Sequence, residues 1–246
     1  MMNLLGMRIN KYLTDRGYCS RRAADKLIEA RRVMIGGRVA VLGDQVAADD
    51  VVMVDGKKID AAGGDDASSR VYIMYNKPFG VTCTTDAEIP KNIIDAVKHP
   101  LRVFPIGRLD KASTGLIFLT NDGDIVNKIL RARYGHEKEY EVEIDVPFPD
   151  LFIKKLSGGV NIGDYVTKPC RVTRRDKKSF TIILTEGKNR QIRRMTAALG
   201  YHVKRLHRVR IMNILLGDLA EGAWRDIPPK KLHELKALLH EQEKSL

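Results

Sequence analysis

The chain has 246 residues and a formal net charge of +12, and its basic side chains occur in clusters rather than in one tail. Clustered positive charge on a folded chain favours a polyanionic partner, with nucleic acid the leading candidate and a charge that serves only solubility the alternative. No apolar run reaches the length of a membrane span, and three widely spaced cysteines exclude a disulfide framework or a zinc knuckle and predict a cytoplasmic protein.

Residues 7–60 predict a small separate unit in which two short helices are followed by strands and turns. Apolar residues recur at helical spacing, Gly17 can end the first helix, and Ser20 can cap the second. Basic side chains on or next to the second helix can follow a phosphate backbone, although a solvated basic face is the alternative for each of them. These residues are Arg21, Arg22, Lys26, Arg31 and Arg32.

The stretch AAGGDDASS, residues 61–69, is small and has no apolar periodicity, so it predicts a flexible linker between two domains. Residues 70–246 alternate between strand and helix signals and predict a second, larger domain. The predicted fold class is therefore α+β.

The most informative stretch is VFPIGRLDKASTGLIFLTNDG, residues 103–123. Its two apolar runs, residues 103–106 and 116–119, predict buried strands, because short continuous runs bounded by glycine fit a sheet core. Between Gly107 and Gly115 lies a polar loop in which one carboxylate, Asp110, stands among cations and hydroxyl groups. Such a setting can keep a carboxylate ionised and aimed as a nucleophile or general base, while a solvated aspartate in a hairpin loop is the alternative.

Residues 136–146, HEKEYEVEIDV, alternate strictly between apolar and acidic side chains. That period predicts a half-buried antiparallel strand whose inward face includes Tyr140 and Val146. The alternative for Tyr140 is a core aromatic residue whose hydroxyl group is satisfied by the protein itself.

The last strong element is a helix that is predicted to begin near Asn189 and to end at Gly200. Its apolar stripe consists of Ile192, Met195 and Leu199. Its first turns carry Arg190, Arg193 and Arg194. A helix N-terminus with arginine beside it is a natural site for an anion, so these arginines indicate function more than a solvated helix face.

Residues 7–60 contain, in this order, RINKYL, CSRRAAD, IGG and GD followed by VVMV. These segments resemble the alpha-L RNA-binding motif, the domain type shared with ribosomal small-subunit protein four. The resemblance implies that the N-terminal domain binds structured RNA. The residues expected to contact that RNA are Arg8, Lys11, Arg21, Arg22 and Lys26.

Residues 70–246 contain, in this order, GRLDKASTGLIFLTNDG, KEYEVEID and EGKNRQIRRM. These segments resemble the three signature motifs of pseudouridine synthases, and most closely those of the RsuA-type family and of the RluF-like enzymes within it, which modify 23S ribosomal RNA. The resemblance implies a catalytic domain with a mixed, mostly antiparallel sheet that converts a uridine in RNA to pseudouridine.

Carried over residue by residue, the resemblance implies that Asp110 is the catalytic aspartate, that Tyr140 packs against the flipped target base, and that Arg193 pairs with Asp110. Arg108 is expected to help displace the target nucleotide, and Ile192 is expected to line the base pocket. The other residues expected to bind substrate are Asn189 and Arg190. Whether Asp110 attacks the sugar, attacks the base or abstracts a sugar proton stays open.

The reaction has no redox step and no external group, so no metal ion or other cofactor is expected. The expected partner is 23S ribosomal RNA, with transfer RNA, alone or as well, as an alternative, and the protein is expected to be a monomer that binds no membrane. A non-catalytic RNA-binding factor of ribosome assembly is the alternative from another class. The presence of Asp110, Tyr140 and Arg193 argues against it, because a binding module does not need that set.

Overall fold

The computed structural model describes residues 6–59, 70–131 and 134–244. The chain divides into two compact units, one of Met1–Arg70 with Asn121–Gly123 and one of Val71–Thr120 with Asp124–Leu246. The linker predicted for residues 61–69 lies outside the described residues. Within the described ranges, no helix combines the length and the apolar character that crossing a bilayer requires.

The N-terminal unit packs two helices, α1 (Ile9–Asp15) and α2 (Arg21–Glu29), on short strands. The Ser20 hydroxyl caps α2, as predicted, by accepting a hydrogen bond from the Ala23 backbone N–H at 3.2 Å. The strands are β1 (Met7–Arg8), β2 (Val33–Ile35), β3 (Arg38–Val39), β4 (Gln45–Val46), β5 (Val52–Val54) and β6 (Lys57–Lys58). β1 pairs with β4, and the other four form a sheet in the order β3-β2-β5-β6.

The larger unit is built on one mixed sheet of nine strands. The strands are β7 (Tyr72–Lys77), β8 (Phe104–Ile106), β9 (Thr114–Thr120), β10 (Lys138–Ile144), β11 (Arg171–Arg174), β12 (Ser179–Leu184), β13 (Val203–Ile211), β14 (Ile214–Leu215) and β15 (Trp224–Asp226). The helices that follow the two N-terminal ones are α3 (Ile93–Val97), α4 (Gly123–Leu130), α5 (Asp150–Ser157), α6 (Gln191–Ala198) and α7 (Pro229–Lys244).

The sheet runs in the order β11-β12-β10-β13-β9-β7-β15, with β14 on β13 and β8 on β9. Its described strand pairs are antiparallel except for β9 with β13, which run parallel. The α+β class and the mostly antiparallel sheet are therefore confirmed.

The central strands are buried on both faces, because an apolar core lies on each side of the sheet. In β9, Ile117 packs in one core and Phe118 in the other, and Tyr75 and Met74 of β7 divide in the same way. This double burial explains why residues 116–119 form a continuous apolar run instead of alternating. The buried strand predicted for residues 116–119 is confirmed. The run 103–106 also forms a strand, β8, but it is only partly buried, since β8 pairs with β9 alone in the described part of the sheet.

The prediction that Val146 faces inward is wrong, since this side chain is 47% exposed. The strand β10 ends at Ile144, after a register shift between Glu143 and Ile144. Alternation of side chains between faces holds only while the chain stays in the sheet, so the pattern loses its meaning two residues past the strand end.

One row of paired residues crosses four neighbouring strands of the sheet and connects the sequence motifs on β9 and β10. Lys77 of β7 pairs with Gly115 of β9, Gly115 pairs with Arg208 of β13, and Arg208 pairs with Tyr140 of β10. Gly115 has a φ of +102°, and a Cβ atom placed there would lie 2.3 Å from the Arg208 carbonyl oxygen. Glycine is therefore required at this point, because the backbones of β9 and β13 approach too closely for any side chain.

Candidate active site

Asp110 is presented from a loop between β8 and β9 whose backbone is held on several sides. The Ser113 N–H donates to the Asp110 carbonyl at 2.9 Å, and the Gly80 N–H donates to the Lys111 carbonyl at 2.9 Å. Leu109 is buried, and its N–H donates to the Cys83 sulfur at 3.4 Å. The loop thus holds the Asp110 carboxylate in place while leaving 34% of its side chain exposed.

Arg193 of α6 stands beside that carboxylate, with its Nε 4.0 Å from the Asp110 Oδ2. Its two terminal nitrogens donate to backbone carbonyls, Nη1 to Val203 at 3.1 Å and Nη2 to Ala112 at 2.9 Å. Burial lowers the pKa of Arg193, and the negative charge of Asp110 opposes that lowering. The carbonyl contacts fix the plane of the guanidinium, so the group is aimed at Asp110 before any substrate binds.

Tyr140 and the start of α6 line one cleft of about 700 Å³ together with the Asp110 loop. Six of the seven residues predicted for the catalytic domain line this cleft, and they are Arg108, Asp110, Tyr140, Asn189, Arg190 and Ile192. Arg193 is not among the residues that line the cleft. It lies behind Asp110, with its Nε 4.0 Å from the Asp110 carboxylate. Asp110, Tyr140 and Arg193, which are far apart along the chain, thus lie together in the structure.

The turn before α6 is held by the buried carboxylate of Glu186. This carboxylate accepts hydrogen bonds from the Tyr165 hydroxyl at 2.9 Å, from the Lys168 N–H at 3.1 Å and from the Gln191 Nε2 at 2.8 Å. Arg190, as the N-cap residue, has a φ of +48° and is exposed at the cleft. The network explains how this short turn keeps an unusual backbone conformation at the cleft edge.

Arg194 does not belong to this site, so its predicted part in an anion site is wrong. Its Nη2 pairs with the Asp164 carboxylate and donates to the Ile162 carbonyl at 2.6 Å. Adjacent residues of a helix point about 100° apart, which turns Arg194 away from the face that carries Arg193.

The predicted RNA contacts of the N-terminal unit lie on its surface. Arg8, Arg21, Arg22 and Lys26 are exposed, and Lys11 is partly buried with its Nζ 2.5 Å from the Asp15 carboxylate. The first four are open to an anionic partner, whereas an RNA phosphate would share Lys11 with Asp15.

Lys138 and Arg208 also line the cleft. The sequence does not single out Lys138, whereas Arg208, like Arg210, is a candidate RNA contact whose position cannot be read from the sequence. Lys138 lies two residues before Tyr140 on the same strand, so the period of two that turns Tyr140 inward could have placed Lys138 beside it. Burial, together with the charge of Arg208, lowers the pKa of Lys138 from 10.5 to about 8. No local signal marks Arg208, because its place depends on the register between strands.

The lowered pKa of Lys138 makes a testable prediction about stability. Between pH 8 and 10.5 the unfolded chain holds the Lys138 proton more often than the folded chain, so this residue contributes more to stability as pH rises through that range. We expect the free energy of unfolding of the wild type, minus that of Lys138→Met, to increase over this range in urea titrations. A difference that does not change with pH would contradict the assignment.

Comparison with known proteins agrees with this geometry. Residues 71–198 match the family described as RNA pseudouridylate synthase, and residues 7–52 match the S4 domain. Over 239 residues the chain is 49% identical to the dual-specificity RNA pseudouridine synthase RluF of Salmonella typhi, which covers 97% of this chain and 82% of the relative. Over 240 residues it is 34% identical to the ribosomal large subunit pseudouridine synthase B of Bacillus subtilis (strain 168), covering 94% of this chain and 96% of the relative.

The fold is also similar to that of a solved enzyme. A crystal structure of a pseudouridylate synthase matches with a TM-score of 0.67 and 27% sequence identity, covering 93% of this chain and 99% of the other. The family inferred from the three motifs is therefore confirmed. The chain belongs to the RNA pseudouridylate synthases, a family of RNA-modifying isomerases, and carries an S4 domain before the catalytic one.

Proposed function

We propose that this chain converts one uridine of 23S ribosomal RNA, and one uridine of transfer RNA, to pseudouridine. The observation that carries the chemical part is the pairing of Asp110 with Arg193 at the edge of a cleft that Tyr140 also lines. The choice of RNA is supported by two relatives, one named a dual-specificity enzyme and one a large-subunit ribosomal enzyme. The protein works as a monomer in the cytoplasm.

The reaction breaks the bond between C1′ of the ribose and N1 of uracil, turns the ring, and rejoins it through C5. Asp110 is the only carboxylate among the described residues that both lines the cleft and pairs with an arginine. It serves as the nucleophile or as the base that takes a sugar proton. The fixed guanidinium of Arg193, with its Nε 4.0 Å from the Asp110 Oδ2, orients the carboxylate by charge attraction.

The target base has to leave its stack to reach this cleft, which costs a few kcal/mol. Stacking on an aromatic ring returns about 1–3 kcal/mol, and Tyr140 lines the cleft and offers such a ring. Arg108 is exposed at the cleft and takes the place of the extruded nucleotide. Ile192 closes the apolar side of the base pocket.

The S4 domain supplies affinity for the RNA through its phosphates, which gives a second prediction. Replacing exposed Arg21 and Arg22 together with glutamine should weaken RNA binding and reduce the slope of log affinity against log salt by about 1.5 to 2. The rate at saturating RNA should stay unchanged, because neither residue lies in the catalytic unit. Filter binding at several salt concentrations measures the slope.

A matched pair of arginines in the same unit serves as the control. Arg32 pairs with Asp55 at 2.5 Å and Arg38 with Asp44 at 2.6 Å, so these two cations are already neutralised. Replacing both Arg32 and Arg38 with glutamine should change the salt slope by less than half as much as the double replacement of Arg21 and Arg22 does. If the slope of log affinity against log salt were the same for the two double variants, Arg21 and Arg22 would not be specific contacts of the RNA phosphates.

Mapping of pseudouridines in cells that lack the gene tests the substrate assignment. We expect one position in 23S ribosomal RNA and one in transfer RNA to revert to uridine, and both to return when the wild-type gene is restored. If pseudouridine were lost from only one RNA class, the class whose map is unchanged would not be a substrate. A map that does not change in either class would favour the assembly factor over the enzyme.

A further inference from the structure

Arg208 is buried in the catalytic cleft, and one end of its guanidinium has no partner. The residue is 3% exposed and lines the cleft, and its Nε donates to the Leu116 carbonyl at 2.6 Å. Its Nη2 is buried and has no hydrogen-bond partner among the described residues. A buried charged donor without a partner is costly, so its retention points to a partner that the chain does not itself supply.

The positive charge of Arg208 is also uncompensated. In the described part of the chain no ion pair includes it, whereas Arg210, two residues further along β13, pairs with Glu137 and Glu139 at 2.9 and 2.8 Å. The nearby ammonium group of Lys138 adds a like charge, and the repulsion is one cause of the lowered pKa of Lys138, after burial. The floor of the cleft is therefore cationic, and it favours an electron-rich group.

The register of the sheet places Tyr140 beside Arg208. Arg208 lies between Gly115 of β9 and Tyr140 of β10, and Tyr140 is the neighbour that lines the cleft with it. The guanidinium carbon of Arg208 lies 5.9 Å from the centre of the Tyr140 ring. A flat ring packed against Tyr140 can therefore place an edge atom within reach of the Arg208 Nη2.

We propose that the Arg208 Nη2 donates a hydrogen bond to a carbonyl oxygen of the flipped uracil and stabilises the negative charge that this ring gains during the reaction. The inference rests on the proposed function and adds a residue to its site. A contact at O4 also gives specificity, because a guanidinium offers only donors and cytosine carries an amino group, itself a donor, at that position.

The chemistry creates that charge on either route through the sugar. When the bond from C1′ to N1 breaks, its electron pair stays with the ring and spreads over N1, O2 and O4. C1′ is then bonded to the Asp110 carboxylate, or it joins a double bond to C2′ after the C2′ proton has passed to Asp110. Bonding of C5 to C1′ releases Asp110 or returns its proton to C2′, the C5 proton is lost to solvent, and N1 takes up a proton. Arg208 takes part in these steps only as a hydrogen-bond donor.

Sulfur substitution in the target base tests this contact. The substrates are synthetic stem-loops that carry the mapped uridine with sulfur in place of O2 or of O4, since sulfur accepts hydrogen bonds weakly. At one of the two positions sulfur should slow single-turnover isomerisation by the wild type by about tenfold or more. Arg208→Met should be about a hundredfold slower on the oxygen substrate, with less than about twofold further loss on the sulfur substrate.

Three controls make the outcome decisive. Arg210→Met should keep the wild-type sulfur effect, because Arg210 is engaged by Glu137 and Glu139. Where Arg208→Met does not fold, Arg208→Lys replaces it and should also lose most of the sulfur effect. Circular dichroism and thermal melting report the fold of each variant.

Two results would overturn the proposal. A purely structural Arg208 would slow the oxygen and sulfur substrates by the same factor, so the variant would keep the full sulfur effect. A wild type that is insensitive to sulfur at both positions would exclude a carbonyl contact of this strength. A wild type that isomerises no RNA would instead overturn the proposed function, so the two failures are distinguishable.

Discussion

Asp110→Asn is expected to lose pseudouridine formation by about a thousandfold or more while it still binds RNA with wild-type affinity. Asparagine has nearly the same shape, but it can neither attack a carbon nor take a proton. The carboxylate lies 4.0 Å from Arg193 at the edge of the cleft, so the substitution removes one charge and leaves the packing unchanged. Single-turnover isomerisation and filter binding measure the two properties separately.

Asp164→Asn is the matched control, because Asp164 pairs with Arg194 on the same helix that carries Arg193. Asp164 is 74% exposed and lies outside the cleft lining. Its replacement should leave the isomerisation rate within about twofold of the wild type, since exposed ion pairs contribute little. Turnover by Asp110→Asn near the wild-type level would remove Asp110 from the mechanism.

Gly115→Ala is expected to have the largest effect on stability. The new Cβ would lie 2.3 Å from the Arg208 carbonyl oxygen and 2.6 Å from the Arg208 nitrogen, where β9 and β13 run parallel. Overpacking and left-handed backbone strain each cost about 1–3 kcal/mol, so the free energy of unfolding should fall by about 2–6 kcal/mol. Denaturant unfolding of the purified variant measures this loss.

Gly163→Ala separates the cost of backbone strain from the cost of overpacking. Gly163 has a φ of +100°, close to the +102° of Gly115, but nothing lies within 4 Å of its added Cβ. The free energy of unfolding of Gly163→Ala should therefore fall only by the cost of backbone strain, about 1–3 kcal/mol. Equal losses at the two positions would show that the close approach of β9 and β13 is not the reason for glycine.

The local features of the site could be predicted from the sequence. The period of two in KEYEVEI turns Tyr140 inward, and the glycines around the Asp110 loop lie near the end of β8 and the start of β9. Each of these signals depends on neighbouring residues only. That is why the loop, the inward tyrosine and the cap of α2 are found where the sequence placed them.

The long-range part of the site could not be predicted in the same way. Arg208 contacts the Leu116 carbonyl across 92 positions of sequence, and its neighbours Gly115 and Tyr140 follow from strand register. Register depends on the packing of the whole sheet, and a shift by one residue would turn Arg208 to the other face. The different fates of Arg193 and Arg194 likewise depend on partners from distant loops.

The assignment of Asp110, Arg193 and Tyr140 to an isomerase site is tested most directly with 23S ribosomal RNA and transfer RNA labelled with tritium at C5 of uridine. The purified chain, with no added cofactor, should release tritium to solvent, because C5 loses its proton when it bonds to C1′. Asp110→Asn should release none above background. Absence of release from both RNAs by the folded wild type would contradict the claim that Asp110, Arg193 and Tyr140 form an isomerase site.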